Sequence, residues 1–244
     1  MERNRGERAW ILHHHPFGDG GLILEVFSEE HGRLGVLARG QRRSGRLEAG
    51  RPYWLRWAGR GELPVLQGAE EIASPLTLQP VPALLLFYVN ELLLRLTERG
   101  DPQPMLFAEM EDTLQALAAE PEAYWRLRRF ERRLLEVLGW AADLQRCAEC
   151  GAALEEGYAQ PGSGVFCAAH RRSGAMPLSA AARVWLVGAM QTSPPRGLAR
   201  ELRAYLAAEL DQPLAGRALE SRRLLAAYLR RDRKRQNGEE MQVR

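Results

Sequence analysis

The sequence predicts an α+β protein: a small five-stranded barrel first, then an all-helical domain interrupted by a cysteine-bearing insert. Three observations carry this reading. Up to about residue 75, apolar residues recur with a period of two in short runs separated by turn formers. Past Pro75, Pro80 and Pro82 the period lengthens to that of a helix. Between residues 139 and 177 helical periodicity lapses, and all three cysteines of the chain lie there. The expected boundaries are 1–78 for the barrel and 79–244 for the helical domain, with the insert at about 144–175.

The strands follow from alternation. Ala9–His14 is a short apolar-rich run, and Leu22–Phe27 places Leu22, Leu24 and Val26 on one face with Ile23 and Phe27 opposite. Leu34, Val36 and Ala38 alternate with Gly35 and Leu37, and Tyr53–Trp57 and Val65–Ile72 complete the set. Gly18–Gly21, Glu29–Gly32, the stretch from Gly40 to Gly50, and Gly59–Gly61 supply the turns. Five short strands in so little chain suit a closed barrel better than an open sheet.

The helices begin with 82–99, an apolar stretch flanked by Glu91, Arg95 and Glu98 and stopped by Gly100-Asp101-Pro102. Residues 104–119 form a second helix, and Pro121 suits the first turn of a third over 122–138. On that third helix Leu127, Phe130, Leu134, Val137 and Leu138 share one side, while Arg126, Arg128, Arg129, Arg132 and Arg133 cover the other. The arginine side is either a solvated surface or a phosphate-binding one. Three further helices are expected at 178–190, 196–210 and 216–231, ahead of a polar tail expected to fray.

Charge is concentrated. The net charge is only +3, yet from Arg33 to Arg60 eight arginines stand against one acid, Glu48. Lys234 is the single lysine, and guanidinium forks grip phosphates bidentately. The segment Ala38–Arg46 joins two strands and carries Arg39, Arg42, Arg43 and Arg46 with Gly40 and Gly45, a basic tip suited to a phosphate chain. Tyr53, Trp54 and Trp57 follow, and basic residues beside aromatic platforms suit single-stranded nucleic acid. Some of these aromatics must instead be barrel core, and period two does not say which. The competing reading is an exposed charged loop.

Other candidates are weaker. Of His13-His14-His15 only His13 and His15 share a strand face, with Asp19 as the sole nearby carboxylate, so the run reads as a polar strand end. Gly18-Asp19-Gly20-Gly21 is too short for a phosphate-binding loop and lacks its lysine. No Ser-His-Asp order and no dense carboxylate cluster appears, so the expectation is a protein that is not an enzyme. No apolar run approaches ~18 residues and the first ten lack an apolar core, so neither membrane span nor secretory signal is expected.

The cysteines form a pattern. Cys147-Ala148-Glu149-Cys150 is followed by sixteen residues and then Cys167-Ala168-Ala169-His170. Each pair has the spacing of a zinc knuckle, and two knuckles close a tetrahedron around Zn²⁺. Gly151 allows the turn after the first pair, and Pro161–Gly164 reads as the turn of a hairpin between Tyr158 and Val165-Phe166. Three thiolates and an imidazole leave about −1 on the complex, which Arg146, Arg171 and Arg172 offset. Four protein ligands leave no open position, so the expected metal is structural, one per chain. The alternative is three buried cysteines and a surface histidine without metal.

Three stretches, PFGDGGLILEVFSEEHGRLGVLARGQRR, RRFERRLLEVLGWAADLQRCAECG and GVFCAAHR, resemble the bacterial recombination mediator family RecO, and the resemblance runs from about residue 8 to 231. It implies an N-terminal OB-fold, a helical domain and a zinc-ribbon-like insert. It implies binding of single- and double-stranded DNA and annealing of complementary strands. The implied partners are RecR, in many bacteria RecF, the C-terminal tail of single-strand binding protein, and indirectly the RecA recombinase loaded onto coated DNA. The implied location is the cytoplasm, at the nucleoid. His170 departs from the family, where a fourth cysteine is common, but histidine is a competent ligand. The expected DNA contacts are Arg33, Arg39, Arg42, Arg43, Arg46 and Arg51 on the barrel and Arg126, Arg129 and Arg133 on the third helix. Alternatives are a zinc-containing protein–protein adaptor and, more remotely, a metal-dependent nuclease using His13, His15 and Asp19.

Overall fold

Five strands close on themselves at the N-terminal end of the chain. The computed structural model describes residues 6–40, 47–59, 61–72, 80–120, 124–188, 192–195 and 197–242, with side chains of the last helix described as far as Arg231. The strands are β1 (Glu7–Phe17), β2 (Gly21–Ser28), β3 (Gly32–Ala38), β4 (Pro52–Ala58) and β5 (Val65–Glu71). They run β1-β2-β3-β5-β4 around the barrel, and β4 returns to β1. All pairings are antiparallel except β3 with β5, which is parallel and sets Leu37 opposite Val65. This is an OB-like barrel, closed between β3 and β5 by that one register pair.

The residues that alternate on one face of the expected strands line the core of the barrel. Ala9, Ile11, Leu22, Leu24, Val26, Val36, Ala38, Tyr53 and Leu55 cluster inside, with Leu34 and Trp57 packed against them. β1 serves two partners: its first half faces β4, and from Ala9 onward it pairs with β2. A register shift between Ile11 and His13 lets the strand bend between them. Leu12 at the shift is buried, and its carbonyl accepts a hydrogen bond from Asn90 Nδ2 at 3.0 Å.

The helices are α1 (Pro80–Leu96), α2 (Pro104–Ala119), α3 (Tyr124–Val137), α4 (Ala180–Val187), α5 (Leu198–Asp211) and α6 (Glu220–Gln242). Between α3 and α4 stands a three-stranded sheet of β6 (Gly157–Gln160), β7 (Gly164–Phe166) and β8 (Met176–Leu178) in the order β7-β6-β8. α6 runs further than its apolar pattern, because the tail holds good helix formers and no proline. No helix among the described residues is long and apolar enough to cross a membrane.

Two compact units emerge, Met1–Phe107 with Ala218–Arg244, and Ala108–Arg217. In the first, α1 and α6 pack together although about 130 residues separate them. Glu91 of α1 caps α6: its carboxylate accepts from the N–H groups of Glu220 (3.1 Å) and Ser221 (2.9 Å) and from Ser221 Oγ (2.7 Å). A carboxylate there satisfies orphan donors and complements the helix dipole. Burial alone would raise the Glu91 pKa, but these hydrogen bonds and Arg95 hold it below its ordinary value. Also in this unit, Gly32 opens β3 at φ +67°, and a Cβ there would run into the Asp101 carbonyl. In the second unit α3 packs on α5, and Ser179 caps α4 by accepting from Ala182 N–H at 3.1 Å.

Candidate metal centre and nucleic-acid interface

Residues 144–155 fold back on themselves as a small hairpin. Cys147 N–H donates to the Ala152 carbonyl (2.8 Å), Leu154 N–H to that of Gln145 (2.9 Å), and Gly151 N–H to that of Cys147 (2.9 Å). Gly151 takes φ +71°, the conformation this turn needs. The β6–β7 hairpin brings in the second pair, and Cys167 opens a short 3₁₀ turn, Ala168–His170. One candidate ligand atom from each of Cys147, Cys150, Cys167 and His170 lies within 4.8 Å of all the others. Cys167 N–H points at Cys147 Sγ (3.4 Å), and His170 Nδ1 stands 3.2 Å from Cys167 Sγ.

The donor set fits a cation. Burial alone would push the Cys147 thiol up, but N–H groups of Cys150, Cys167 and Glu149 and the Cys150 thiol bring it down to about 6. Cys150 receives the Ala152 N–H, yet the sulfurs of Cys147 and Cys167 hold its pKa above the ordinary value. Thiols this close do not all ionise on their own, and a divalent cation at their centre removes the conflict. The four residues are therefore arranged to hold a metal ion. Around them Arg172 pairs with Glu149 (3.1 Å) and lies over Phe166 (4.2 Å), Arg171 lies over Tyr158 (4.6 Å), and Arg146 Nη1 donates to the Gly151 carbonyl (3.2 Å).

The arginines divide by partner. Arg39 is exposed just beyond β3, where the basic loop begins, while Arg42, Arg43 and Arg46 lie outside the described residues. Arg51, on the far side of that loop, bonds Glu48 (2.7 Å) and Glu71 (2.8 Å). Arg33 turns inward: Nε and Nη2 donate to the Thr97 carbonyl at 3.1 and 2.8 Å, and Nη1 stands 3.5 Å from Glu25. On α3, Arg129 donates through Nε and Nη2 to one oxygen of Glu109, Oε2 (3.0 and 2.7 Å), Arg133 pairs with Glu136 (2.7 Å), and Arg126 lies over Trp125 (4.3 Å). Arg132 is buried, bonded to Glu136 and the Ala142 carbonyl, and Glu131 is buried against Arg128 at 2.7 Å. The arginine side of α3 is thus largely ion-paired. Tyr53 is core, its hydroxyl accepting from Glu48 N–H (3.0 Å), whereas Trp54 and Trp57 are half-buried.

Residues 1–75 match the family described as Recombination protein O N terminal, and residues 82–223 that described as Recombination protein O C terminal. The chain belongs to the RecO family. A DNA repair protein RecO from Acidithiobacillus ferrooxidans is 57% identical over 95% of this chain and 94% of its own length. RecO proteins of Photobacterium profundum and Nitrosospira multiformis are 37% and 38% identical over 62% of this chain, spanning 66% and 64% of their own lengths. Membership supports a role in DNA recombination and repair.

Two features of this RecO-family chain escape sequence reasoning. Arg183 of α4 is buried, and its guanidinium donates to the carbonyls of Leu144 (3.0 Å), Leu154 (2.9 Å) and Glu155 (2.9 Å), gripping both roots of the first knuckle. Gly157 makes room, since a Cβ there would come within 2.9 Å of Arg183 Nε. The only signal was an arginine in an apolar helical stretch. The second feature groups Glu7, Glu30 and His31. The Glu7 carboxylate closes the β2–β3 turn by accepting from Glu30 N–H (2.9 Å) and Ser28 Oγ and facing His31 Nδ1 (2.6 Å). His13 and His15 do share a face, with ring centroids 4.5 Å apart. Among the described residues they join no carboxylate in a metal-sized group.

Proposed function

We propose that this chain is a non-enzymatic DNA-binding recombination mediator that binds single- and double-stranded DNA and anneals complementary strands. It works with RecR, and with RecF where present, to help load RecA onto DNA coated by single-strand binding protein, whose C-terminal tail it also contacts. The observation that carries the reading is the RecO match across both parts of the chain. Residues 1–78 form the DNA-binding domain and residues 79–244 the helical domain with its insert at about 144–175. The setting is the cytoplasm, at the nucleoid.

The proposed physics is electrostatic. Arg39, Arg42, Arg43 and Arg46, with Arg33 and Arg51 in support, neutralise phosphates on two strands and so reduce their repulsion. Arg126, Arg129 and Arg133 offer a second surface on the helical domain. Arg39 is exposed at the start of the loop, whereas Arg33 and Arg129 already hold acceptors of their own, so the loop carries most of the contact. Cys147, Cys150, Cys167 and His170 hold Zn²⁺, which cross-links the two knuckles.

Replacing the four loop arginines by alanine lowers affinity for any DNA sequence. It reduces the slope of log K against log salt by up to about 3–4, at roughly 0.9 per lost phosphate contact in duplex. The deciding assay is annealing of complementary strands coated with single-strand binding protein. Wild type accelerates it and the fourfold variant does not. A wild type that binds no DNA, or binds it without annealing, leaves a zinc-containing adaptor as the better reading.

A further inference from the structure

A groove of about 880 Å³ opens on the barrel, within the ~300–1,000 Å³ of ligand pockets. His15 and Ile23 line one end, His31 and Trp57 a side, and Leu63 of the β4–β5 connection another. His31 and Trp57 meet edge to face, with ring centroids 5.8 Å apart. The polar groups of the groove are unusual. The Glu25 carboxylate is buried between two guanidiniums, Arg33 at 3.5 Å and Arg99. Glu62 lines the groove as well, so carboxylates and guanidiniums balance there, and Arg99, about half exposed, is the guanidinium that faces the groove. Gly35 leaves room for it: a Cβ there would come within 2.9 Å of Arg99 Nη1, and the guanidinium would have to shift.

The occupant is constrained by three facts. The groove is lined chiefly by side chains of the barrel and its β4–β5 connection, so recognition falls to side chains. Aromatic rings beside apolar residues take a flat ligand, and a half-exposed guanidinium beside them donates to the polar edge of one. The register puts Ile23 opposite Leu37 and Leu22 opposite Ala38, so this end of the groove adjoins the point where the chain enters the arginine loop at Arg39. We infer that the groove takes an unpaired nucleobase of a single strand, stacked on Trp57 and steadied by Arg99, with the phosphate chain continuing toward Arg39. The inference rests on the DNA-binding reading and adds a selectivity to it. Bases in a duplex are covered by their neighbours and cannot enter, so duplex is held through phosphates alone.

The test uses the full chain, an oligothymidylate and a duplex of equal length, each titrated by fluorescence anisotropy. Trp57→Leu lowers single-strand affinity about tenfold or more, the scale of one lost stacking contact, and leaves duplex affinity within about twofold. Because Trp57 also packs against the barrel core, His31→Ala and Arg99→Ala are measured alongside, after circular dichroism confirms folding. Each weakens the single strand several-fold and spares the duplex. A 5-iodouracil in the oligonucleotide crosslinks on irradiation to Trp57 or His31. Equal losses on both DNAs, no loss on either, or a crosslink mapped elsewhere overturns the base groove while the salt-dependent DNA reading stands. Binding of an acidic peptide ending in an aromatic residue that is lost in Trp57→Leu, with oligothymidylate binding unchanged, also overturns it. A wild type that binds neither DNA overturns both readings.

Discussion

A buried guanidinium needs several acceptors at once, and Arg183 finds three in the carbonyls of Leu144, Leu154 and Glu155. These flank the hairpin that carries Cys147 and Cys150, so the first half of the metal cradle is held in shape by a residue that touches no ligand. Arg183→Met keeps the bulk and leaves three carbonyls without this donor. The expected cost is about 3 kcal/mol or more, with weaker metal retention against a chelator. Cys147→Ser acts on the centre itself, and zinc content falls from about one per chain to near none. Metal analysis with thermal melting separates the two: Arg183→Met binds zinc given in excess, and Cys147→Ser does not. If Arg183→Met melts and holds zinc like wild type, the clamp is unimportant.

At the scale of elements, Glu91 of α1 supplies the cap that ties the start of α6 to it. Glu91→Gln retains the shape but gives up the charge at the α6 N-terminus, at a cost of about 1–2 kcal/mol at neutral pH. Because the folded pKa of Glu91 lies below its ordinary value, its contribution is present above the usual carboxylate range and disappears as pH falls through the folded value. Urea denaturation of wild type and variant should therefore differ most near pH 7 and converge in acid. A constant difference from pH 7 to pH 3 would remove the charge from the explanation. This tie was not legible in the sequence: Glu91 was only a polar flank of an apolar helix, and its partner lies about 130 residues on. What was legible is what depends on local period. Alternation in β2 and β3 gave the inward faces, and the two C-x-x-[CH] spacings gave the four metal-ligating candidates. Period could not separate Tyr53, whose hydroxyl caps a backbone N–H, from half-buried Trp54 and Trp57. Nor could it foresee Glu131 and Arg132 inside, because a charge is buried only where a partner meets it and the partner is set by packing.

On the scale of the whole molecule, the two candidate sites belong to different compact units. The arginine loop and the groove fall in Met1–Phe107 with Ala218–Arg244, and the Cys₃His centre in Ala108–Arg217. A metal that serves only as a cross-link stabilises its own unit and enters no contact with DNA. Chelation should then lower the thermal midpoint of the protein by roughly 5 °C or more, given ~2–4 °C per kcal/mol for a chain of this size. DNA affinity at a temperature where the barrel stays folded should change by less than about twofold, with an unaltered salt slope. The metal-free protein would thus keep its DNA-binding part and lose whatever the second unit supplies. Anisotropy titrations before and after chelation, and again after zinc is restored, read both quantities on one sample. A salt slope that falls on chelation and recovers with zinc would shift the main phosphate contact from the loop to the metal-bearing unit, where Arg126, Arg129 and Arg133 lie, and Arg146, Arg171 and Arg172 around the ligands would be the residues to replace next.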